Sequence, residues 1–316
     1  ISACRLALSR VGIDQWRPPR SAVKISAPTP IHIVLTFDDN FWAPAFAVSR
    51  SICLSTKRRD LTFHLLHDGL KPERRADFQK LRDEFGVTVN HYELSENERF
   101  NAVCRSLPVD NRLHTVMYAR LLIGTILPPG IERVIYLDCD TFVISPIEWL
   151  FDQPMDGKPV AAVSDPVKQL MMMGRDMREK AGLFDPAADY FNSGVMLIDM
   201  EKYVAADIPG RIEGFKRDGI LQKLYFDQDM LNLIFRDNWK KLPWRFNVTD
   251  PQVAHQAMDC FVLHYTGRAR PWLLYANVAY RRSYRHVMTN ELFYRYMRHR
   301  WKRFWVKRWR KLTGRK

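Results

Sequence analysis

From residue 31 onward, short β-type runs alternate with amphipathic helical segments, and that alternation restricts the chain to a layered α/β domain. Ile31 to Phe37 reads as a first strand, ending in the acidic turn Asp38-Asp39-Asn40. Pro44 to Ser55 follows as a helix and Leu61 to Leu66 as a second strand. Pro72 to Phe85 is a second helix with proline near its first turn. Val87 to His91 makes a third strand, Thr115 to Ile123 a helical stretch, and Val134 to Leu137 a fourth, buried strand. Val160 to Val163, Val195 to Asp199 and Cys260 to His264 are further strands, with a helix around Asp227 to Phe235. In open α/β sheets the ligand crevice lies beyond the carboxyl ends of the strands, at a switch in strand order. Both acidic clusters, Asp38-Asp39-Asn40 and Asp138-Cys139-Asp140, fall at such ends.

The second cluster points to metal chemistry. Residues i and i+2 of an extended segment project from the same side, so Asp138 and Asp140 can converge on one hard cation. Oxygen ligands suit Mg²⁺ or Mn²⁺, ions commonly held by one or two carboxylates together with substrate phosphates. An Asp-X-Asp after a strand also serves as a turn or a helix cap, so the weight falls on the residues around it. The glycine-rich phosphate fingerprints GxGxxG and GxxxxGK[ST] are absent, which argues against a dinucleotide dehydrogenase or a P-loop enzyme. A diphosphate bound without such a loop needs other neutralisation, and a carboxylate-held metal with a basic residue supplies it.

The 316 residues suit one large domain or two small ones, and 47% hydrophobic content can bury a substantial core. Five cysteines with no CxxC spacing read as unpaired thiols in a reducing compartment. No apolar run approaches the ~18–20 residues needed to span a bilayer. Residues 1–30 lack an initial Met and a continuous apolar stretch and carry Pro18, Pro19, Pro28 and Pro30; they read as a poorly ordered leader or a misplaced start. The net charge of +14 is concentrated at the other end. Arg295 to Lys316 holds eleven Lys or Arg and no acid, and the remainder of the chain carries only +3.

Further stretches accompany the acidic pair: Val34-Leu35-Thr36-Phe37-Asp38-Asp39-Asn40, Met117-Tyr118-Ala119-Arg120, Asp189-Tyr190-Phe191-Asn192-Ser193-Gly194, Phe226-Asp227-Gln228-Asp229, and His264-Tyr265-Thr266-Gly267-Arg268-Ala269-Arg270-Pro271-Trp272. In this order and spacing, over about Ile31 to Trp272, the set resembles glycosyltransferase family 8, especially the bacterial lipopolysaccharide galactosyl- and glucosyltransferases. The resemblance implies a single nucleotide-sugar-binding α/β domain of GT-A type over residues 31–285, a mixed sheet flanked by helices. It also implies transfer of a hexose from a UDP-sugar to a saccharide or glycolipid acceptor, with retention of configuration and with Mn²⁺, or Mg²⁺, as cofactor. Carried over by position, Asp38 and Asn40 would hold uracil and ribose, with a backbone contact from Thr36, and Arg120 would reach the donor. Asp138, Asp140 and His264 would coordinate the metal. Asn192, Asp227 and Gln228 would line the donor sugar, with Asp165 as a further sugar-side carboxylate. Asp227 and Gln228 are the nearest candidates for a nucleophile, the alternative being attack on the face the diphosphate leaves. Gly267 and Arg270 would clamp the diphosphate, Arg270 standing where the family has lysine; charge is kept, geometry is not.

Plainer roles exist for each. His264 could be a satisfied core histidine, Arg120 a structural partner of Asp138, Asn192 a turn residue, Asp227 an N-cap, and Asp165 part of an Asp-Pro turn. The methionines at 171–173 read as packing or a lid over the acceptor.

The segment 286–316 reads as a basic amphipathic helical tail. On a helix from about Glu291, Phe293, Met297, Trp301, Phe304, Trp305 and Leu312 share a broad face, with Arg295, Lys302, Arg303, Lys307 and Arg310 on or bordering the other. Three of the nine tryptophans lie between 301 and 309, and tryptophan favours membrane interfaces. This predicts a cytoplasmic protein held peripherally on the inner face of an anionic membrane. Two competing classes are a nucleic-acid-binding protein using the basic tail and a catalytically inactive UDP-sugar-binding module. The near-neutral body and the lack of a nucleic-acid motif argue against the first; the intact Asp-Asp-His set argues against the second.

Overall fold

Residues of β1 (Ile31–Asp38) are buried almost without break, as expected of a strand covered on both sides. The computed structural model describes residues 29–105, 107–108, 115–165, 182–184, 188–224 and 226–313. Residues 1–28, with Cys4 and most of the expected leader, and the methionines at 171–173 lie outside them; Cys53, Cys104, Cys139 and Cys260 are free and buried. β2 (Leu61–Asp68), β3 (Thr88–Glu93) and β4 (Arg133–Leu137) join β1 in parallel. β7 (Phe191–Asp199) then runs antiparallel between β4 and β6 (Val160–Ser164), and β8 (Lys240–Lys241) closes the edge. The seven strands lie in the order β3-β2-β1-β4-β7-β6-β8. The sheet is therefore mixed, and the strand order reverses between β1 and β4.

Period-two alternation sends successive side chains to opposite faces and builds two cores. Ile33, Leu35 and Phe37 of β1, with Ile135 and Leu137 of β4, pack with α1 (Trp42–Ser55) and α2 (Pro72–Phe85). Val34, Val134 and Tyr136 face the other way, against Met196, Ile198, Met230 and Phe235. α2 begins with Pro at its first turn and ends at Gly86, whose φ of 70° is the left-handed cap favoured by glycine.

One strand begins earlier than its sequence pattern suggests, and one helical stretch takes a tighter form. β7 starts at Phe191 rather than Val195, so Asn192, Ser193 and Gly194 belong to a strand and not to a turn. Their polar side chains hide the strand pattern, and the backbone is held by Asn232, whose Oδ1 accepts from the N–H of Phe191 at 2.8 Å. Residues Thr115–Leu122 form a 3₁₀ helix, buried at Val116 and at residues 118–122.

A small second sheet, β5 (Thr141–Val143), β10 (Val262–His264) and β9 (Val248–Thr249), sits beyond the end of β4. It pairs Thr141 with His264 and lets the N–H of Tyr265 donate to the carbonyl of Asp140 at 2.9 Å. A residue 124 positions away is thereby delivered to the acidic pair.

The C-terminal helix, Asn290–Thr313, divides into two parts. Leu292, Phe293 and Tyr296 are buried in the core on the α1 and α2 side, and Arg295 donates to Asp77 at 2.8 Å. From Trp301 the side chains are exposed: Trp301 60%, Trp305 57%, Trp309 65% and Leu312 76%. The first third of the expected tail is thus integral to the body.

Candidate active site

The strand ends place three acidic or basic groups around one point. Asp138 directly follows β4, and its N–H donates to the carbonyl of Gly194 on β7 at 2.8 Å. Asp140 lies two residues on and faces His264 from β10. His264 Nε2 stands 3.1 Å from Asp140 Oδ1 and 3.7 Å from Asp138 Oδ2. The three residues' ligand atoms lie within 4.8 Å of one another, and they are the metal-competent cluster found among the described residues.

Hydrogen bonds behind His264 set which nitrogen it presents. The N–H of Gly194 can only donate, so Asn192 Oδ1 must be its acceptor, at 3.0 Å. Asn192 Oδ1 also accepts from Asn247 Nδ2 at 2.9 Å, which leaves Asn247 Oδ1 to accept from His264 Nδ1 at 3.0 Å. With Nδ1 protonated, Nε2 is turned to the carboxylates and can offer its lone pair to a cation. Gly194 completes the cradle: a Cβ there would overlap the ring of His264 and come within 2.7 Å of Asp138 Oδ2. Donor chemistry, ring orientation and free space all fit a divalent metal.

Charge in the site is strongly coupled. Burial opposes a charged imidazole at His264, but Asp140 and Asp138 outweigh it and raise its pKa. Burial likewise penalises the Asp140 carboxylate, yet His264 and then Arg270 hold it below the usual carboxylate range. Arg270, from the loop after β10, pairs directly with Asp140 Oδ2.

Arg120 sits deeper. Its guanidinium meets Asp138 Oδ1 at 2.8 Å and Asp227 Oδ2 at 2.6 Å, and donates to the carbonyl and hydroxyl of Ser193 at 3.1 and 3.0 Å. The ring of Tyr136 lies 4.8 Å from it. Asp227 opens the helix Phe226–Ile234, preceded by the left-handed turn of Phe226 at φ 56°, a strained conformation of the kind that gathers at functional sites. Burial pushes the Asp227 carboxyl up, against the pull of Arg120, and Asp138 pushes it further. Next to it, Gln228 Oε1 accepts from the N–H of Ser193 at 3.1 Å, and Gln228 Nε2 donates to Asp165 Oδ2 at 3.0 Å. Asn192 Nδ2 donates to the same oxygen at 3.1 Å.

The family-8 model of glycosyl transferases matches residues 32–276. The chain belongs to that family. This family-8 glycosyltransferase is 26% identical to general stress protein A of Bacillus subtilis (strain 168), over 82% of this chain and 93% of the relative. It is also 26% identical to a lipopolysaccharide 1,2-glucosyltransferase of Escherichia coli, over 84% of this chain and 80% of that one. Among solved structures, the galactosyltransferase LgtC in complex with donor and acceptor sugar analogs superposes with a TM-score of 0.68 at 22% identity, covering 82% of this chain and 95% of LgtC. The chain shares its GT-A fold.

Within the family-8 domain, the residues singled out from sequence fall into two connected groups. Asp138, Asp140, His264, Arg120, Asp227, Gln228, Asn192, Asp165 and Arg270 form one network at the carboxyl end of β4. Asp38 and Asn40 stand at the end of the neighbouring strand β1, Asn40 donating to Asp38 through both its backbone and its side-chain nitrogen at 2.9 and 2.7 Å. Thr36 bridges the groups through its hydroxyl, 2.8 Å from the Tyr136 hydroxyl, which donates to Asp138 Oδ1 at 2.8 Å. Gly267 lies against Asp250, whose carboxylate a Cβ would overlap. Sequence reasoning missed Tyr136, Ser193 and Asn247. The first was discoverable, being two residues before Asp138 on one strand face; Asn247, after Trp244-Arg245-Phe246, carries no local signal.

Proposed function

We propose that this glycosyltransferase is a Mn²⁺-dependent, retaining hexosyltransferase. Its donor would be UDP-galactose or UDP-glucose, and its acceptor the saccharide of lipopolysaccharide or another cell-surface glycan. The observation that carries the reading is the convergence of Asp138, Asp140 and His264 beside Asp38 at the reversal of strand order, where a nucleotide and its metal-bound diphosphate can lie together. Asp38 and Asn40 would take the uridine and Gly267 the diphosphate backbone side. Asp138, Asp140 and His264 would hold the metal, which supplies charge neutralisation as the anomeric C–O bond breaks. Arg270 is within reach of the same charge, so the leaving diphosphate needs no protein acid. Asp165, bracketed by Asn192 and Gln228, would accept hydrogen bonds from hydroxyls on the sugar side. Asp227 is committed to Arg120 inside the protein, which favours attack of the acceptor hydroxyl on the face that the diphosphate leaves over an Asp227 adduct.

Release of UDP from a panel of UDP-sugars with and without Mn²⁺ tests the reading. Turnover that is independent of metal, or confined to other nucleotides, would overturn it. Arg270→Ala should weaken UDP about 10–100-fold, the worth of one or two charge-assisted hydrogen bonds, and leave uridine nearly unchanged. Titration of both ligands checks this, equal losses contradicting a phosphate role. Arg270→Lys should retain substantial activity.

The exposed end of the C-terminal helix supports peripheral attachment to the cytoplasmic face of an anionic membrane, where a glycolipid acceptor would be found. No helix among the described residues is long and apolar enough to cross a membrane. At about 100° per residue, Trp301, Trp305, Trp309 and Leu312 form a stripe well round the helix from Leu292, Phe293 and Tyr296. The stripe is free for an interface while the packed face stays docked. Six cations lie between residues 302 and 311, and at about 1 kcal/mol each, half of them would contribute on the order of 3 kcal/mol. A chain ending at Arg300 keeps the docked part. It should fold, keep its turnover on a soluble acceptor, and fail to float with anionic vesicles that carry the intact protein at low salt. Equal flotation of both chains would remove the helix from the membrane reading.

A further inference from the structure

The docked part of the C-terminal helix reaches the turn that follows β1. Both oxygens of Asp38 accept from Asn40, through its backbone N–H at 2.9 Å and its Nδ2 at 2.7 Å. Asn40 Oδ1 lies 3.3 Å from His299 Nε2, and His299 Nδ1 lies 3.1 Å from Arg74 Nη2. A guanidinium only donates, so Nδ1 must accept, and the ring proton stays on Nε2. Nε2–H then donates to Asn40 Oδ1, and that fixes which end of the amide faces Asp38. The polarity of the chain Arg74, His299, Asn40, Asp38 is therefore set from its first member. Arg74 is itself anchored by Asp39 and lies over the ring of Trp42 at 4.0 Å. Trp42 also takes the edges of His299 at 5.1 Å and Tyr296 at 5.2 Å.

We propose that His299 is a positioning residue for the donor nucleotide, orienting Asp38 through Asn40 from the far end of the chain. The proposal rests on the reading that Asp38 and Asn40 hold the uridine. A neutral imidazole is what the relay needs, and burial, then Arg74 and Arg303, push the pKa of His299 down to about 4. Docking of the helix does not depend on this side chain, because Leu292, Phe293, Tyr296 and the Arg295–Asp77 pair supply it.

The test compares His299→Ala, His299→Phe and His299→Gln in the full-length protein by titration with uridine and UDP and by donor kinetics. Phenylalanine keeps the ring on Trp42 but cannot donate. Glutamine can accept from Arg74 and donate to Asn40. The Ala and Phe variants should weaken uridine and UDP equally, about 10-fold for one lost hydrogen bond and a freed amide. Donor KM should rise by the same factor, with kcat and Mn²⁺ dependence unchanged, and Gln should restore most of the loss. If Phe restored binding as well as Gln, packing alone would explain the contact and the relay would be wrong. Unchanged uridine affinity in the Ala variant would also overturn it, provided Asp38→Ala abolishes that affinity. If Asp38→Ala left uridine unaffected as well, the assignment of the nucleotide motif would be what fails.

Discussion

Asp138→Asn and Asp140→Asn are each expected to lower transfer about 10³-fold, roughly 4 kcal/mol of transition-state stabilisation, while leaving the fold intact. Asparagine keeps the shape and one carbonyl oxygen but removes the charge a divalent ion needs. At Asp138 the cost to folding is limited: Oδ1 accepts from Arg120 and Tyr136, and an amide oxygen can still do so. At Asp140 the substitution weakens the ties to His264, which is buried, and to Arg270, which keeps access to water. Mn²⁺ titration followed by electron paramagnetic resonance separates metal loss from unfolding. Wild-type turnover at limiting Mn²⁺ in either variant would show that the carboxylates are not metal ligands. His264→Ala should raise the Mn²⁺ requirement as well as reduce turnover, and an unaltered requirement would make it a core histidine.

Arg120→Met should destabilise the protein by about 3–5 kcal/mol and abolish transfer. The guanidinium is buried between Asp138 and Asp227, and its removal leaves the buried Asp227 carboxylate beside Asp138 without its counter-charge. Methionine fills much of the volume, so the loss is electrostatic rather than a cavity. Neutralising one acid at the same time, in Arg120→Met with Asp227→Asn, should recover a large share of the stability and none of the activity. Denaturant unfolding of the single and double variants checks the coupling. Additive losses would mean that Arg120 and Asp227 do not act as a pair, contrary to their 2.6 Å contact. The plainer role of Arg120, a structural partner of Asp138, is thus a true part of its description; it meets Asp227 as well.

Much of the fold was legible because its signals are local. The strands at 31, 61 and 133 and the helix Pro72–Phe85 follow from alternation, proline and glycine within a few residues, and the structure keeps them nearly to the residue. The sequence pattern shows only the end of β7, because Asn192, Ser193 and Gly194 look like a turn, whereas their polar groups are spent on Asn247, Gln228 and Asp138. The candidate site was legible where motif spacing carries it, as in Asp138-Cys139-Asp140. It was not legible where a partner comes from distant sequence with no pattern of its own, as Asn247 does behind His264.

The C-terminal helix marks the boundary between the two kinds of knowledge. Helical periodicity and composition alone pointed to a basic, aromatic helix from about Glu291, which the structure has at Asn290–Thr313, because 3.6-residue repeats and charge are properties of the segment itself. Phe293 and Trp301 look alike at that level. Only the tertiary structure decided that Phe293 is core and Trp301 is surface, and that His299 between them touches Asn40. The reason is that burial depends on where the body ends, which is set by α1, α2 and the turn after β1, more than 200 residues away in the chain.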